Sequence, residues 1–270
     1  MSSLHVRGAR GCQRIVSVTP ESAGWDHVGF EVLELRAPLE LPELRDREAC
    51  VVVVEGSCEV VVAGSCGCLL SRRDPFADLP DALFVPAGAA LTLIPHDGAV
   101  EVAICTAPAA AGEASPRRIG PADVEVEIRG RGEFEREIRP ILMGDDPGVQ
   151  SLLVCEVLTP AGHWSSFPPH KHDRDDPPEE TELEETYYHR VDPPEGFGLQ
   201  RVYTDDRSLD ESIAFADGDT ILVPRGYHTV SAPPGCRLYY LNVMAGPVRS
   251  WAVSEDREIA AAVEAGGGVL

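Results

Sequence analysis

The sequence predicts an all-β protein of two jelly-roll-like β-barrels in tandem, followed by a short C-terminal helix. Three observations carry this reading. Short runs rich in Val, Ile, Leu and Tyr are punctuated by Pro and Gly, of which the 270 residues include 23 and 25, the pattern of strands separated by turns. Helical periodicity is scarce: only residues 256–264 read as a helix, with Gly266–Gly268 ending it. The strand pattern also occurs twice along the chain.

The elements follow in order. In the first half, strands are expected at 30–35, 49–55, 59–62, 83–85, 91–94 and 100–105. In the second half they are expected at 152–158, 186–190, 200–203, 220–223 and 238–243. The repeat is visible in the residues. Ala49-Cys-Val-Val-Val-Val-Glu-Gly leads to Phe84-Val-Pro-Ala-Gly88 and then to Glu101-Val-Ala-Ile-Cys105. Later, Glu185-Thr-Tyr-Tyr-His leads to Leu222-Val-Pro-Arg-Gly226 and then to Leu238-Tyr-Tyr-Leu-Asn242. Duplication of one barrel unit explains both series. The Ala/Pro/Gly-rich stretch 108–115 has linker composition, which divides the chain into domains 1–115 and 116–270, with 124–141 able to join either half.

Composition narrows the partners. Apolar residues make up 43% of the chain, enough for a sizeable core, and 23 basic against 45 acidic residues give a net charge of −22. That balance argues against nucleic acid and anionic membrane, both of which attract positive potential. An anionic substrate would then need a local positive site, from a metal or from arginines. No apolar run approaches the ~18–20 residues of a spanning helix, and residues 1–14 are not followed by an apolar signal segment. The expectation is a cytoplasmic protein, with a homodimer possible. Most of the eight cysteines read as small buried residues of a reduced protein, since Cys66-Gly-Cys68 is a poor match to paired zinc-ligand spacing.

The chemistry concentrates in the second half. Pro168-Pro169-His170-Lys171-His172 is followed by Glu185 and then by Gly218-Asp-Thr-Ile-Leu-Val-Pro224-Arg-Gly226-Tyr-His228. Alternate residues of a strand share a face, so His170 and His172 can point into one cavity. Glu185 begins the next strand and His228 follows the Pro-x-Gly turn. Three imidazoles and a carboxylate suit one divalent transition metal, Zn, Mn, Fe, Co or Ni, and leave positions for substrate. Glu184 and Glu182 compete with Glu185 for the carboxylate role. The first half has the turn but neither the His-x-His pair nor a histidine after it, and His96 is isolated. Its barrel is expected to be metal-free.

These motifs resemble the cupin superfamily, although the 12-residue gap from His172 to Glu185 is longer than usual and only Tyr227 separates Gly226 from His228. A narrower resemblance accommodates both departures. Trp164-Ser-Ser-Phe-Pro-Pro-His-Lys-His-Asp, Pro177-Pro-Glu-Glu-Thr-Glu-Leu-Glu-Glu-Thr-Tyr-Tyr, Gly196-Phe-Gly-Leu-Gln-Arg-Val-Tyr-Thr-Asp-Asp, Val223-Pro-Arg-Gly-Tyr-His and Tyr239-Tyr-Leu-Asn-Val-Met-Ala-Gly-Pro are similar to the 5-deoxy-glucuronate isomerase family. The first half matches more loosely, through Ala23-Gly-Trp25. Residues 129–138 match a further family segment, with Glu133 where the family has Asn.

The resemblance implies a bicupin of myo-inositol catabolism that converts 5-deoxy-D-glucuronate to 5-dehydro-2-deoxy-D-gluconate. Such an aldose–ketose isomerisation needs a Lewis acid at the carbonyl and a group that moves a proton between neighbouring carbons. Strand parity from Glu185 puts Tyr187 and His189 on the cavity side. Tyr187 is a candidate donor to substrate, with barrel filling as its alternative role. Arg201 and Arg225 are candidates for the substrate carboxylate, by bidentate pairing, and a structural ion pair is the alternative for Arg201. Lys171 lies between two ligands and should point away. Competing readings are a hexulose-uronate isomerase of pectin breakdown, an Fe(II) cupin dioxygenase and a non-catalytic sugar-binding cupin.

Overall fold

The computed structural model describes residues 2–63 and 67–265. Cys66 and Gly266–Gly268, used above, lie outside them. The described chain is dominated by strands, and its last element is the short helix Arg257–Ala265. Asp256 starts that helix, its Oδ1 accepting the N–H groups of Glu258 and Ile259 at 3.1 Å, as a capping carboxylate does. No helix among the described residues is long and apolar enough to cross a membrane.

The chain forms two compact units, and the division differs from a single cut at 115. One unit takes residues Ala9–Glu125 and Arg139–Cys155. The other takes Val126–Ile138 together with the described residues of Met1–Gly8 and Glu156–Leu270. The segment 124–141, ambiguous by composition, is therefore split. The change of unit falls within the strand Arg136–Leu142. A strand has no compositional break to mark such a crossing, so the Ala/Pro/Gly stretch drew the boundary instead.

The first of these units is an eight-stranded sheet ordered Arg14–Val18, Gly29–Leu35, Leu91–Pro108, Arg47–Val62, Ala82–Val85, Arg117–Ile119, with Leu39–Leu41 and Cys68–Arg72 attached at its sides. Two expected pairs of strands are single long ones here. Residues 49–55 and 59–62 belong to Arg47–Val62, and 91–94 and 100–105 belong to Leu91–Pro108. Gly56, at φ 107°, bends the chain without ending the pairing. A Cβ there would lie 2.8 Å from the Ala99 carbonyl oxygen, so only glycine permits the bulge. Its interior is closed by Val51, Val53, Cys58, Val60, Leu70, Leu83, Val85, Leu93, Val100 and Val102, all fully or nearly fully buried.

The other unit has two sheets. One contains His5–Val6, Thr220–Val223, Glu184–Asp192 and Arg237–Ala245 side by side, and Glu127–Arg129 pairs with the start of Arg136–Leu142. The second runs Asp210–Phe215, Gly198–Tyr203, Tyr227–Ser231, Trp164–Lys171, Ser254–Glu255. Its core mixes Val157, Val202, Ile221, Val223 and Val230 with Tyr187 and Tyr240. Both Val-Pro-x-Gly motifs end a strand in a turn whose glycine has positive φ, 84° at Gly88 and 91° at Gly226. That shared backbone demand is the physical content of the repeat.

Candidate metal centre

Four side chains from three strands and one adjoining loop converge inside the second unit. His170 lies in Trp164–Lys171, and His172 follows directly after that strand. His228, in Tyr227–Ser231, sits across from His170 in the strand register. Residues paired across antiparallel strands present side chains to the same face, so the two imidazoles meet, with ring centroids 4.6 Å apart. His172 lies 5.1 Å from His228 by the same measure. One ring nitrogen from each of the three histidines falls within 4.8 Å of the others. Glu185, opposite Val223 in its strand pair, brings Oε2 to 3.1 Å from Nε2 of both His172 and His228. Glu184 is only half-buried and Glu182 is exposed, so the carboxylate at this point is that of Glu185.

Neighbouring groups fix the orientation of His172, His228 and Glu185. Nδ1 of His172 lies 2.9 Å from the Leu183 carbonyl oxygen, and Nδ1 of His228 lies 3.1 Å from that of Gly226. A carbonyl only accepts, so each Nδ1 carries the proton and a neutral ring turns an Nε2 lone pair toward Glu185. Asn242 Nδ2 donates to Glu185 Oε1 at 2.8 Å, which leaves Oε2 for the histidine side. The Nε2 atom of His228 is buried and makes no hydrogen bond, although Glu185 is close. Buried lone pairs facing a carboxylate repel unless a cation lies among them, so the donor set fits a divalent transition metal.

Burial raises the cost of charge on Glu185, yet the neighbouring His228 and His172 outweigh it and hold the carboxyl at about 2. Burial, reinforced by His228 and His172, keeps His170 well below the ordinary histidine range, hence neutral and able to ligate. For His172 burial acts in the same sense, but the Glu185 carboxylate prevails and the pKa is raised.

The other candidate residues separate into two groups. Tyr187 lies inside the barrel with its ring 5.7 Å from that of His228, and its hydroxyl is 3.4 Å from Ser166 Oγ. Burial, then the charge of Glu185, push its pKa up, so the phenol keeps its proton. His189 is also inside, stacked on Phe215 and 2.9 Å from Gln200 Oε1. Arg201 is not brought to this centre. Val202 pairs with His228, so alternation turns Arg201 to the opposite face, where it bonds Asp210 at 2.9 and 3.1 Å. Its strand neighbours Gln200 and Val202 are buried while Arg201 faces out, in the structural ion pair that was its alternative role. Arg225 is exposed. Lys171 points away, as alternation requires, to Asp173 at 3.1 Å and Asp205 at 3.3 Å. Glu180, in the long insert, is fully buried and accepts from the Asp173 backbone at 2.9 Å, so it braces the loop rather than facing solvent. Glu133 is exposed.

Comparison with known proteins fits this geometry. The profile of the KduI/IolB family matches residues 3–262. The chain belongs to the KduI/IolB family. It is 49% identical over 245 residues to a 5-deoxy-glucuronate isomerase of Geobacillus kaustophilus, covering 90% of this chain and 88% of that one. It is 40% identical to a 5-deoxy-glucuronate isomerase of Bacillus subtilis, with 92% of each chain covered. The crystal structure of an IolB-like protein from Salmonella typhimurium superposes with a TM-score of 0.90 at 42% identity, over 95% of this chain and 98% of that one. An oxalate decarboxylase of Lactobacillus farciminis shares the fold, with a TM-score of 0.69 at 13% identity, over 97% of this chain and 91% of that one. As a KduI/IolB protein, the chain is an isomerase of the cupin fold, as the motifs had implied.

Asn242 is the residue that sequence reasoning missed at this centre. It was legible only as part of a matching run. Its register partner is Tyr187, one of the cavity-facing positions, and that parity is the signal that finds it.

Proposed function

We propose that this protein is a metal-dependent aldose–ketose isomerase that converts 5-deoxy-D-glucuronate to 5-dehydro-2-deoxy-D-gluconate in myo-inositol catabolism. The observation that carries the substrate is the 49% identity, over 90% of the chain, to a protein named for that sugar. His170, His172, Glu185 and His228 would hold one divalent transition metal. When bound, it supplies Lewis-acid polarisation of the sugar carbonyl.

The chain's own residues set the rest. Carbonyl oxygens of Leu183 and Gly226 hold two imidazoles with Nε2 inward. Asn242 holds the carboxylate. The Tyr187 phenol stays protonated beside Glu185 and is suited to donate a hydrogen bond to a sugar oxygen as charge develops there. The apolar wall of Val202, Val223 and Val230 limits water at the reacting carbons.

Proton NMR of metal-quantified protein with 5-deoxy-glucuronate in deuterium oxide tests the proposal. Conversion to the keto acid is expected, and solvent deuterium in the product would mark proton transfer through an enediol. No conversion at full metal occupancy would overturn it. Turnover of the pectin-derived uronate instead would move the reading to the hexulose-uronate reaction.

A further inference from the structure

The centre described above accounts for one end of an acidic sugar and leaves its carboxylate without a partner. The two arginines singled out from the sequence do not supply one, because Arg201 is spent on Asp210 and Arg225 is exposed. The same unit holds another pair. The hairpin of Glu127–Arg129 and Arg136–Leu142 sets Arg129 directly opposite Arg136. Like charges in such a pair repel; Glu127 offsets this at Arg129, its Oε2 accepting from Nε and Nη2 at 2.9 and 2.7 Å, and Arg136 has no such carboxylate among the described residues.

Arg136 is the more informative of the two. It is only part-exposed, and its guanidinium packs on Gly130, where a Cβ would lie 2.8 Å from Nη1. Nη1 donates to the Phe134 carbonyl oxygen at 3.1 Å. No carboxylate among the described residues forms an ion pair with it, and Glu255 acts on it only from a distance. Burial draws its pKa below the ordinary arginine value, with the charge of Arg129 adding to the effect. A part-buried guanidinium with most of its donors unused is an anion site in waiting.

Its place is beside the metal centre. The Arg129 guanidinium lies 5.4 Å over the Trp251 ring, and Trp251 stands edge-on to His170 at 6.2 Å. Phe134, between the two arginines in sequence, stacks on Phe167 of the histidine-bearing strand at 4.8 Å. We propose that Arg136, assisted by Arg129, binds the carboxylate of the sugar and so orients its other end toward His170, His172, Glu185 and His228. This rests on the reading of the protein as a uronate isomerase, and it explains how a chain of net charge −22 admits an anion.

The test compares R136Q and R129Q with the parent, all metal-quantified, on 5-deoxy-glucuronate and on its neutral analogue 5-deoxy-glucose. R136Q should raise KM for the uronate roughly 10²-fold with metal content unchanged, because a charge-assisted bidentate contact is lost. Its effect on the neutral sugar, which lacks the carboxylate, should be much smaller. R129Q, whose guanidinium is already engaged by Glu127, should show a smaller loss of the same selectivity, and it stays informative if R136Q fails to fold. Equal loss on both sugars, or unchanged KM for the uronate, would overturn the assignment. Calorimetry with gluconate against glucitol keeps the two proposals separate, because it needs no turnover. If the parent prefers gluconate and R136Q abolishes that preference, the anion site stands even where isomerisation is not seen. If R136Q keeps the preference, the site is refuted while the isomerase reading survives.

Discussion

The two barrels carry the same backbone plan and opposite interiors. Their registers can be laid over one another, because Ala49 pairs with Val85 as Glu185 pairs with Val223. The next inward positions are then Val51 and Val53 in one barrel, Tyr187 and His189 in the other. Ala90 follows Gly88 by two residues, as His228 follows Gly226. In the first barrel Ala49, Val51 and Val53 close a dry apolar core. In the second, Glu185, Tyr187 and His189 face inward and are almost fully buried. The fold tolerates either filling, since neither alters the strands. Stability and chemistry have been divided between copies of one frame: burial of apolar area dominates the first, while the second bears buried polar groups that require partners.

The largest test of that division removes the carboxylate and leaves the alanine of the first barrel in its place. Glu185→Ala should abolish stoichiometric metal by elemental analysis and lower kcat/KM by at least ~10³-fold, a ligand counting for more than the outer residues that hold it. Circular dichroism should stay all-β. Global unfolding would show that the site is a structural staple instead. His172→Ala should behave in the same way.

A cavity in the other barrel should do the reverse. Leu93 is fully buried, so Leu93→Ala should destabilise by about 2–5 kcal/mol in denaturant melts. Turnover per folded, metal-loaded molecule should be unchanged. Loss of activity without loss of stability would mean that the first barrel takes part in the chemistry.

Asn242→Ala removes the bond that aligns Glu185. A 10–100-fold loss in metal affinity is expected, as for other groups that orient ligands, measured by competition with a chelator. Restoration by extra metal would separate this from damage to the catalytic step.

The pH response sharpens the contrast further. Burial holds His189 at about 3, against which the Gln200 bond only partly acts. Its folded pKa is below the unfolded value near 6.5, so the unfolded chain takes up a proton that the folded one refuses. This contribution is fully present above pH 6.5 and is lost as the pH falls toward 3. In the metal-free protein, His189→Gln should therefore flatten the decline in melting temperature across that window. An unchanged slope would place the acid sensitivity elsewhere.

The smallest effect is expected at Arg201. Its pair with Asp210 is part-exposed on both sides, so Arg201→Ala should change stability by no more than about 1 kcal/mol and leave kcat/KM alone. A large rise in KM would restore it as a substrate residue and count against Arg136.

Much of the candidate site was legible because its spacing is local. His170 and His172 share a face by alternation, and Val-Pro-x-Gly fixes the turn before His228. Asn242 and Arg136 were not legible in the same way. Asn242 becomes relevant only through its register against Tyr187, and Arg136 only through a hairpin whose segment joins a unit far along the chain. Arg201 was open between a substrate contact and an ion pair, and cross-strand pairing turned it outward to Asp210.

The sequence by itself determined the all-β class, the duplicated frame, the apolar filling of one copy and the clustering of three histidines and a carboxylate in the other. These follow from periodicity, glycine at positive φ and side-chain chemistry, all of which act over a few residues. The tertiary structure decided which segment completes which unit, that Gly56 bends a strand rather than ending it, and that Arg201 faces away from the histidines. Those outcomes depend on strand register and on burial, and both arise only when distant segments meet.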